Sequence, residues 1–222
     1  SANKSIASSG IKNPSQTAHS LIQVLAKDAV KKLSTKVLRT SRGRKVRSGD
    51  HLLVFYQGTF LSGEEFDANF DFSRFEPVTG KTTFDFTLGA GQVIRGWDKG
   101  LKNKRIGSVV ELTIPADQAY GEAGVGERIP PNSPLQFKVE ILAALPAGSS
   151  QAVYMDYSDL GIKTKKIGLS DELLQSIARS KIGLNGADAL QGNSEIDLLI
   201  GLKGNDRLTG QNGADVLIGG KG

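Results

Sequence analysis

The chain has 222 residues, 38% of them hydrophobic, a formal net charge of +5 and no cysteine. The length suits one ordinary domain with appendages, and the lack of cysteine excludes a disulfide framework and a thiolate zinc site. No apolar run approaches the ~20 residues that span a bilayer, and no basic start followed by an apolar stretch reads as a secretory leader.

The chain opens at Ser1-Ala2 without a methionine and is expected to be a piece of something longer. Asn13-Pro14 reads as an N-cap followed by proline at the first helical position. Ala18, Leu21, Ile22, Leu25, Ala29 and Leu33 recur at helical spacing, which predicts a helix from about 14 to 34 packed on its own domain. The basic cluster Lys36, Arg39, Arg42, Arg44, Lys45 and Arg47 is expected to be a solvated hairpin. No aromatics are interleaved with it to stack on bases, so no nucleic-acid partner is expected.

From Thr35 the period changes to two. Leu52, Val54 and Tyr56 alternate with Leu53 and Phe55 in a strand expected to end at Gly58. Phe84, Phe86 and Leu88 form a second run, Val110, Leu112 and Ile114 a third, and Leu135, Phe137, Val139 and Ile141 a fourth. Such alternation predicts antiparallel strands with one wet face. Ile94, Trp97 and Leu101 give one face of a short helix between the second and third runs. The fold class that follows is α+β.

These residues carry a family resemblance over 36–146. Phe55-Tyr56-Gln57-Gly58, Gly63-Glu64-Glu65-Phe66-Asp67, Phe84 to Gly89, Val93-Ile94-Arg95-Gly96-Trp97-Asp98, Ala119-Tyr120-Gly121, Ile129-Pro130-Pro131 and Leu135-Gln136-Phe137 stand in order and at the right spacing. The segment resembles the FKBP-type peptidyl-prolyl cis-trans isomerases. The resemblance implies a twisted antiparallel sheet of five or six strands around a short helix, with an apolar pocket between them. It implies Trp97 as the floor under a proline ring, with Tyr56, Phe66, Phe84, Val93, Ile94, Ile129 and Phe137 around it. It also implies that Tyr120 donates to a substrate carbonyl and that Asp67 sits at the carbonyl-facing edge, held by Tyr56. Two stretches depart from the family. Residues 68–82 are long and carry Phe70, Phe72 and Phe75, expected to pack as a flap on the sheet edge or else to widen the substrate surface. Glu127-Arg128 gives a polar rim that is expected to alter substrate preference.

The chemistry is consistent with such a pocket. Rotation about an X-Pro bond meets a barrier of about 18–20 kcal/mol and takes tens to hundreds of seconds unaided. Amide resonance puts charge on the carbonyl oxygen, and water stabilises that planar, polar form over the twisted one. A dry aromatic pocket removes the water. No nucleophile, general base or cofactor is then required for catalysis. His19 and His51, the only histidines, lie outside every motif.

Residues 147–182 read as a connector, with Ser170 as the N-cap of a short helix. From Gly183 the sequence repeats every nine residues: Asp188, Asp197, Asp206 and Asp215, each followed two residues later by Leu190, Leu199, Leu208 and Leu217. Ten of the 27 glycines fall in these forty residues, so composition alone does not account for the pattern. It resembles the RTX (haemolysin-type) nonapeptide repeat, Gly-Gly-x-Gly-x-Asp-x-apolar-x, which implies a small parallel β-roll that binds calcium. Calcium takes six to eight oxygens from carboxylates and carbonyls. In the family two nonapeptides make one coil, so Asp188 is expected beside Asp206 and Asp197 beside Asp215. Glu195 stands where a glycine is expected, and the array is expected to be cut short at Gly222.

The reading is therefore an N-terminal tail and helix (1–35), an FKBP-type isomerase domain (36–146), a connector (147–182) and RTX repeats (183–222). Expected partners are proline-containing peptides or unfolded proteins and calcium. The chain is expected to be a secreted or cell-surface monomer. A proline-binding chaperone and a calcium-dependent adhesion module remain alternatives.

Overall fold

The computed structural model describes residues 30–177 and 179–221. The period-two runs form one antiparallel sheet. Its path is β1 (Ser34–Arg39), β7 (Val109–Ile114), β8 (Leu135–Leu145), β2 (His51–Phe60) and β3 (Glu65–Ala68). β6 (Phe84–Thr87) also pairs with β2, alongside His51–Val54, and the short β9 (Val153–Tyr154) adds to β8. β4 (Phe70–Asp71) and β5 (Glu76–Pro77) form a small hairpin apart from the sheet. β2 runs two residues beyond Gly58, because Thr59 and Phe60 keep pairing with Gln136 and Leu135.

The short helix α1 (Arg95–Gly100) lies against the apolar side of this sheet. Its glycines allow the close approach. A Cβ at Gly96 would stand 2.4 Å from Ile114 Cγ2, and one at Gly100 would stand 2.7 Å from Leu112 Cδ2. Trp97 and Leu101 enter the core with Leu52, Val54, Phe86, Leu112, Ile114, Phe137 and Val139.

Most of the predicted helix at 14–34 falls outside the described residues. Residues 30–33 are not helical, and Ser34 already opens β1, pairing with Thr113. The edge pairing and the packing of Leu33 on the core override the helical spacing there. The basic cluster is not a solvated hairpin throughout. Arg39 is buried and paired with Glu140, and Arg44 bonds Asp50.

After the connector, parallel strands replace antiparallel ones. β10 (Arg179–Ile182), β12 (Asp197–Ile200) and β14 (Val216–Ile218) make one sheet, and β11 (Ala189–Gln191) and β13 (Arg207–Thr209) make the facing one. The register is Ser180 to Leu198, Leu198 to Val216 and Leu190 to Leu208, a step of two nonapeptides per coil. The outcome is an α+β protein with an antiparallel sheet around a short helix, followed by a β-roll. The connector helix α2 (Asp171–Ser176), capped by Ser170, packs Leu173 and Leu174 with Leu198 and Ile200 of the roll. Among the described residues no helix is long and apolar enough to cross a membrane.

Candidate functional site

Tyr56 of β2, Phe66 and Asp67 of β3, Phe84 of β6, Val93 and Ile94 before α1, Trp97 of α1, Tyr120 in the turn between β7 and β8, and Phe137 of β8 surround one concavity of about 210 Å³. Gln92 joins its wall, and no periodicity in the sequence marks it. Ile129 does not join. It is 3% exposed and belongs to the core, where its N–H and carbonyl pair with Val125.

The rings enclose the concavity on several sides. Trp97, 4% exposed, lies 5.2 Å from Phe137, 5.6 Å from Tyr56 and 6.1 Å from Phe84 between centroids, all edge to face. Phe66 meets Phe137 edge to face at 5.5 Å. Gly58 makes room for this pair, since a Cβ there would come within 2.7 Å of both rings. Asp98 shapes the approach to α1 by accepting the N–H groups of Gly89 at 2.7 Å and Gly91 at 3.1 Å. That role was not visible in spacing, although an acid in a first turn is a usual signal.

The polar groups are few. Tyr56 donates its hydroxyl to Asp67 Oδ2 at 2.7 Å. Burial, reinforced by that carboxylate, pushes the Tyr56 phenol far above its ordinary value. Burial and Asp67 raise Tyr120 as well, against a smaller opposing pull from Arg128. Both phenols therefore remain donors well into the alkaline range. The buried Trp97 Nε1 has no acceptor in the protein. Apart from Asp67, the two phenols and the Trp97 indole, the wall contributes only the Gln92 amide and hydrocarbon, so it holds no hydroxyl–imidazole or thiol–imidazole pair.

A larger cavity, about 510 Å³, opens between the connector and the roll. Aliphatic side chains, Lys163, Lys166, Lys203, Lys221 and Arg42 line it, with no aromatic ring. It offers no aromatic wall on which a prolyl ring could seat, so the smaller concavity is the candidate.

The roll brings its aspartates together two repeats apart. Asp206 Oδ1 accepts the N–H of Asp188 at 3.0 Å, and Asp215 Oδ1 accepts that of Asp197 at 3.1 Å. Asp188 and Asp197 also close their own turns, each Oδ2 accepting an N–H, from Leu184 and Asn193, at 2.6 Å. Two carboxylate oxygens, Asp197 Oδ1 and Asp206 Oδ2, are buried without a partner. Burial raises the Asp188 pKa, and the nearby Asp206 charge raises it further. Glycine carbonyls converge on the same spots. The orphaned Asp206 Oδ2 and the Gly219 carbonyl both border the point where a Gly201 Cβ would stand, the carbonyl at 2.8 Å, and Asp197 Oδ2 and Gly210 O border the equivalent point at Gly192, at 2.5 and 2.6 Å. Orphaned carboxylate oxygens beside carbonyls suit a hard dication.

Phe70, Phe72 and Phe75 do not border the concavity. They form a buried cluster with Phe55 and Val109 of the sheet and with Leu190 and Leu199 of the roll. The segment packs against the sheet, Phe70 stacking on Phe55 at 4.6 Å, and the roll covers it there, so it offers no surface to the substrate concavity.

Comparison with known proteins finds relatives of both parts of the chain. A family model described as FKBP-type peptidyl-prolyl cis-trans isomerase matches residues 42–142. One described as RTX calcium-binding nonapeptide repeat, in four copies, matches residues 191–222. FK506-binding protein 1A of Neurospora crassa is 43% identical over 111 residues, 50% of this chain and 86% of that protein. FK506-binding protein 2 of Dictyostelium discoideum is 42% identical over 98 residues, 44% of this chain and 68% of that protein. The FKBP-type peptidyl-prolyl cis-trans isomerase FkpA of Escherichia coli is 40% identical over 117 residues, 53% of this chain but only 39% of that longer protein.

Proposed function

The chain belongs to the FKBP-type peptidyl-prolyl cis-trans isomerase family, and from that premise we propose that it rotates X-Pro bonds in the aromatic cup around Trp97 without any covalent step. The observation that carries the reading is the aromatic wall: a nearly buried indole with Tyr56, Phe84 and Phe137 rings 5.2–6.1 Å away. A prolyl ring seated on Trp97, against Phe66, Val93 and Ile94, loses its water. The planar imide loses the solvation that favours it, and the twisted form is comparatively stabilised. Tyr120 donates its hydroxyl to a substrate carbonyl. Tyr56 holds the Asp67 carboxylate at the carbonyl-facing edge, which keeps that charge from wandering into the cup. Each hundredfold of acceleration requires about 2.7 kcal/mol of preferential stabilisation of the twisted state.

A protease-coupled assay on a short Leu-Pro or Phe-Pro peptide tests this. Trp97→Ala is expected to lose about a hundredfold in kcat/KM, and Tyr120→Phe about tenfold, the worth of one well-placed hydrogen bond. Wild-type protein that fails to exceed the uncatalysed rate, while still binding the peptide, would favour a chaperone without turnover.

The tail is the second half of the reading. Asp188 with Asp206, and Asp197 with Asp215, together with the glycine carbonyls, are the residues that would hold calcium. Bound calcium supplies positive charge that relieves the Asp188–Asp206 repulsion and satisfies the orphaned oxygens. RTX repeats suit an extracellular setting, where calcium is abundant, and unfolded exported polypeptides are the substrates that fit there. Calorimetry on wild type and Asp206→Ala checks the metal: heat at millimolar calcium that is lost in the variant supports it, and no heat removes it.

A further inference from the structure

The segment from Asn69 to Thr83 leaves the sheet between two residues of the cup, Asp67 and Phe84. Its start is fastened to the cup through Asn69, which is 3% exposed. The Asn69 side chain accepts the N–H of Tyr56 at 2.6 Å and donates to Val54 O at 3.3 Å and Thr82 O at 3.1 Å. Its backbone N–H donates to Tyr56 O at 3.1 Å and its carbonyl accepts from Val78 at 3.0 Å. β3 and β6 share β2 as a partner, and Asn69 fills the gap between them like one rung of a strand.

The middle of the segment is fastened to the roll. Phe70, Phe72 and Phe75 are each under 9% exposed and share a cluster with Leu190 and Leu199. Phe75 takes a left-handed backbone, φ +54°, which a bulky residue adopts only where its surroundings hold it. Lys181 sits in register with Leu199, at a position where the roll turns its side chains inward, and is 5% exposed. Its ammonium donates to Arg74 O at 2.9 Å and Glu76 Oε2 at 3.3 Å, both in the segment. One stretch of chain is thus anchored at one end to Tyr56 and Asp67 and in its middle to the first coil of the roll.

We propose that residues 69–83 couple the roll to the cup, so that calcium loading of the roll holds Asp67 and Phe84 in working position and raises isomerase efficiency. The proposal rests on the isomerase and calcium readings above. Asn69, Phe72 and Lys181 are positioning residues, since none of them reaches the substrate. A floppy roll releases the aromatic cluster, the segment loses its seat, and the two edges of the cup separate.

Trp97 is the only tryptophan and lines the cup, so its emission reports on the cup directly. The test uses the full chain and follows three signals against calcium: binding heat, Trp97 emission and kcat/KM. In wild type all three are expected to move with one midpoint, with kcat/KM rising about fivefold, the lower end of usual coupling between sites. Lys181→Met keeps an unbranched apolar side chain in the roll but cuts the tie to Arg74 and Glu76. It is expected to retain the calcium heat and to lose at least half of the emission and kcat/KM responses. Phe72→Ala is expected to lose the responses and Phe72→Leu to recover them. Calcium heat in wild type with unchanged Trp97 emission and unchanged kcat/KM overturns the proposal, as does absence of calcium heat. An emission response in a protein without turnover supports the coupling and sinks the isomerase reading instead.

Discussion

A methyl group added at Gly96 would stand 2.4 Å from Ile114 Cγ2 and 2.7 Å from its Cδ1, inside the fully buried core. Ile114 is β-branched and packed, so it has little room to turn away. Gly96→Ala is expected to cost about 1–3 kcal/mol of stability by overpacking, and to lift Trp97 away from Tyr56 and Phe137. In urea unfolding the joint variant Gly96→Ala/Ile114→Ala should lose less than the sum of the two single losses, because cutting back Ile114 removes the clash while leaving its own cavity cost. Asp50 shows the electrostatic side of the residue scale. Burial tends to raise its pKa, but hydrogen bonds from Arg44 and from the N–H groups of Arg47 and Ala147 outweigh burial and leave it lowered. A lowered carboxyl pKa contributes stability above the unfolded value, and that stability is lost as pH falls through the folded one. Asp50→Asn is therefore expected to cost about 1–3 kcal/mol near neutral pH. The gap between variant and wild type should narrow below about pH 4, where the unfolded carboxyl also takes a proton. Urea midpoints measured at both pH values check it.

Among elements, the roll gives the sharpest contrast, because equivalent glycines in its two coils meet different surroundings. Gly204, φ +120°, has Gly186 O where a Cβ would sit, at 2.3 Å. Gly186, one coil earlier, has open space and an ordinary backbone. Gly204→Ala is expected to cost more than about 1–3 kcal/mol through strain and contact together, and Gly186→Ala to stay within about 0.5 kcal/mol. Thermal unfolding followed by circular dichroism separates the two. The same geometry explains how Glu195 occurs where the pattern asks for glycine: like Gly186 it belongs to the first coil and needs no left-handed backbone. The contrast also marks what the sequence could reveal. Period-two runs, the nine-residue phase and the motif around Trp97 are local patterns, and each became the element they imply. The cup was legible because its rings come from short contiguous motifs on β2, β3, β6 and α1. Ile129 read as part of it through the family resemblance of the Ile129-Pro130-Pro131 motif, and tertiary packing places it in the core. Asn69, Lys181 and the three phenylalanines of the segment carried no such signal, since their partners lie across the sheet or more than a hundred residues away.

At the scale of the whole molecule, one side chain reaches across both halves. Arg39, 1% exposed, donates Nε to Gly107 O at 2.9 Å and Nη1 to Ile182 O at 3.3 Å, and its Nη2 bonds Glu140. It leaves β1, faces β8 and touches the first strand of the roll. A buried pair of this kind is strongly destabilising to break, by about 3–5 kcal/mol, because the surviving charge is left uncompensated. Replacing both partners by apolar groups is often nearly neutral. Arg39→Met is therefore expected to lose about 3–5 kcal/mol, and Arg39→Met/Glu140→Leu to lose less than that single change, in urea unfolding read by Trp97 emission. The double change cannot restore the bond to Ile182 O. Residues 147–182 should then be cut sooner by a protease than in wild type even when the sheet has recovered. Equal losses in the single and double variants would mean that Gly107 and Ile182, rather than Glu140, account for the cost of removing Arg39. The arginine would then serve as a strut between sheet and roll more than as half of an ion pair.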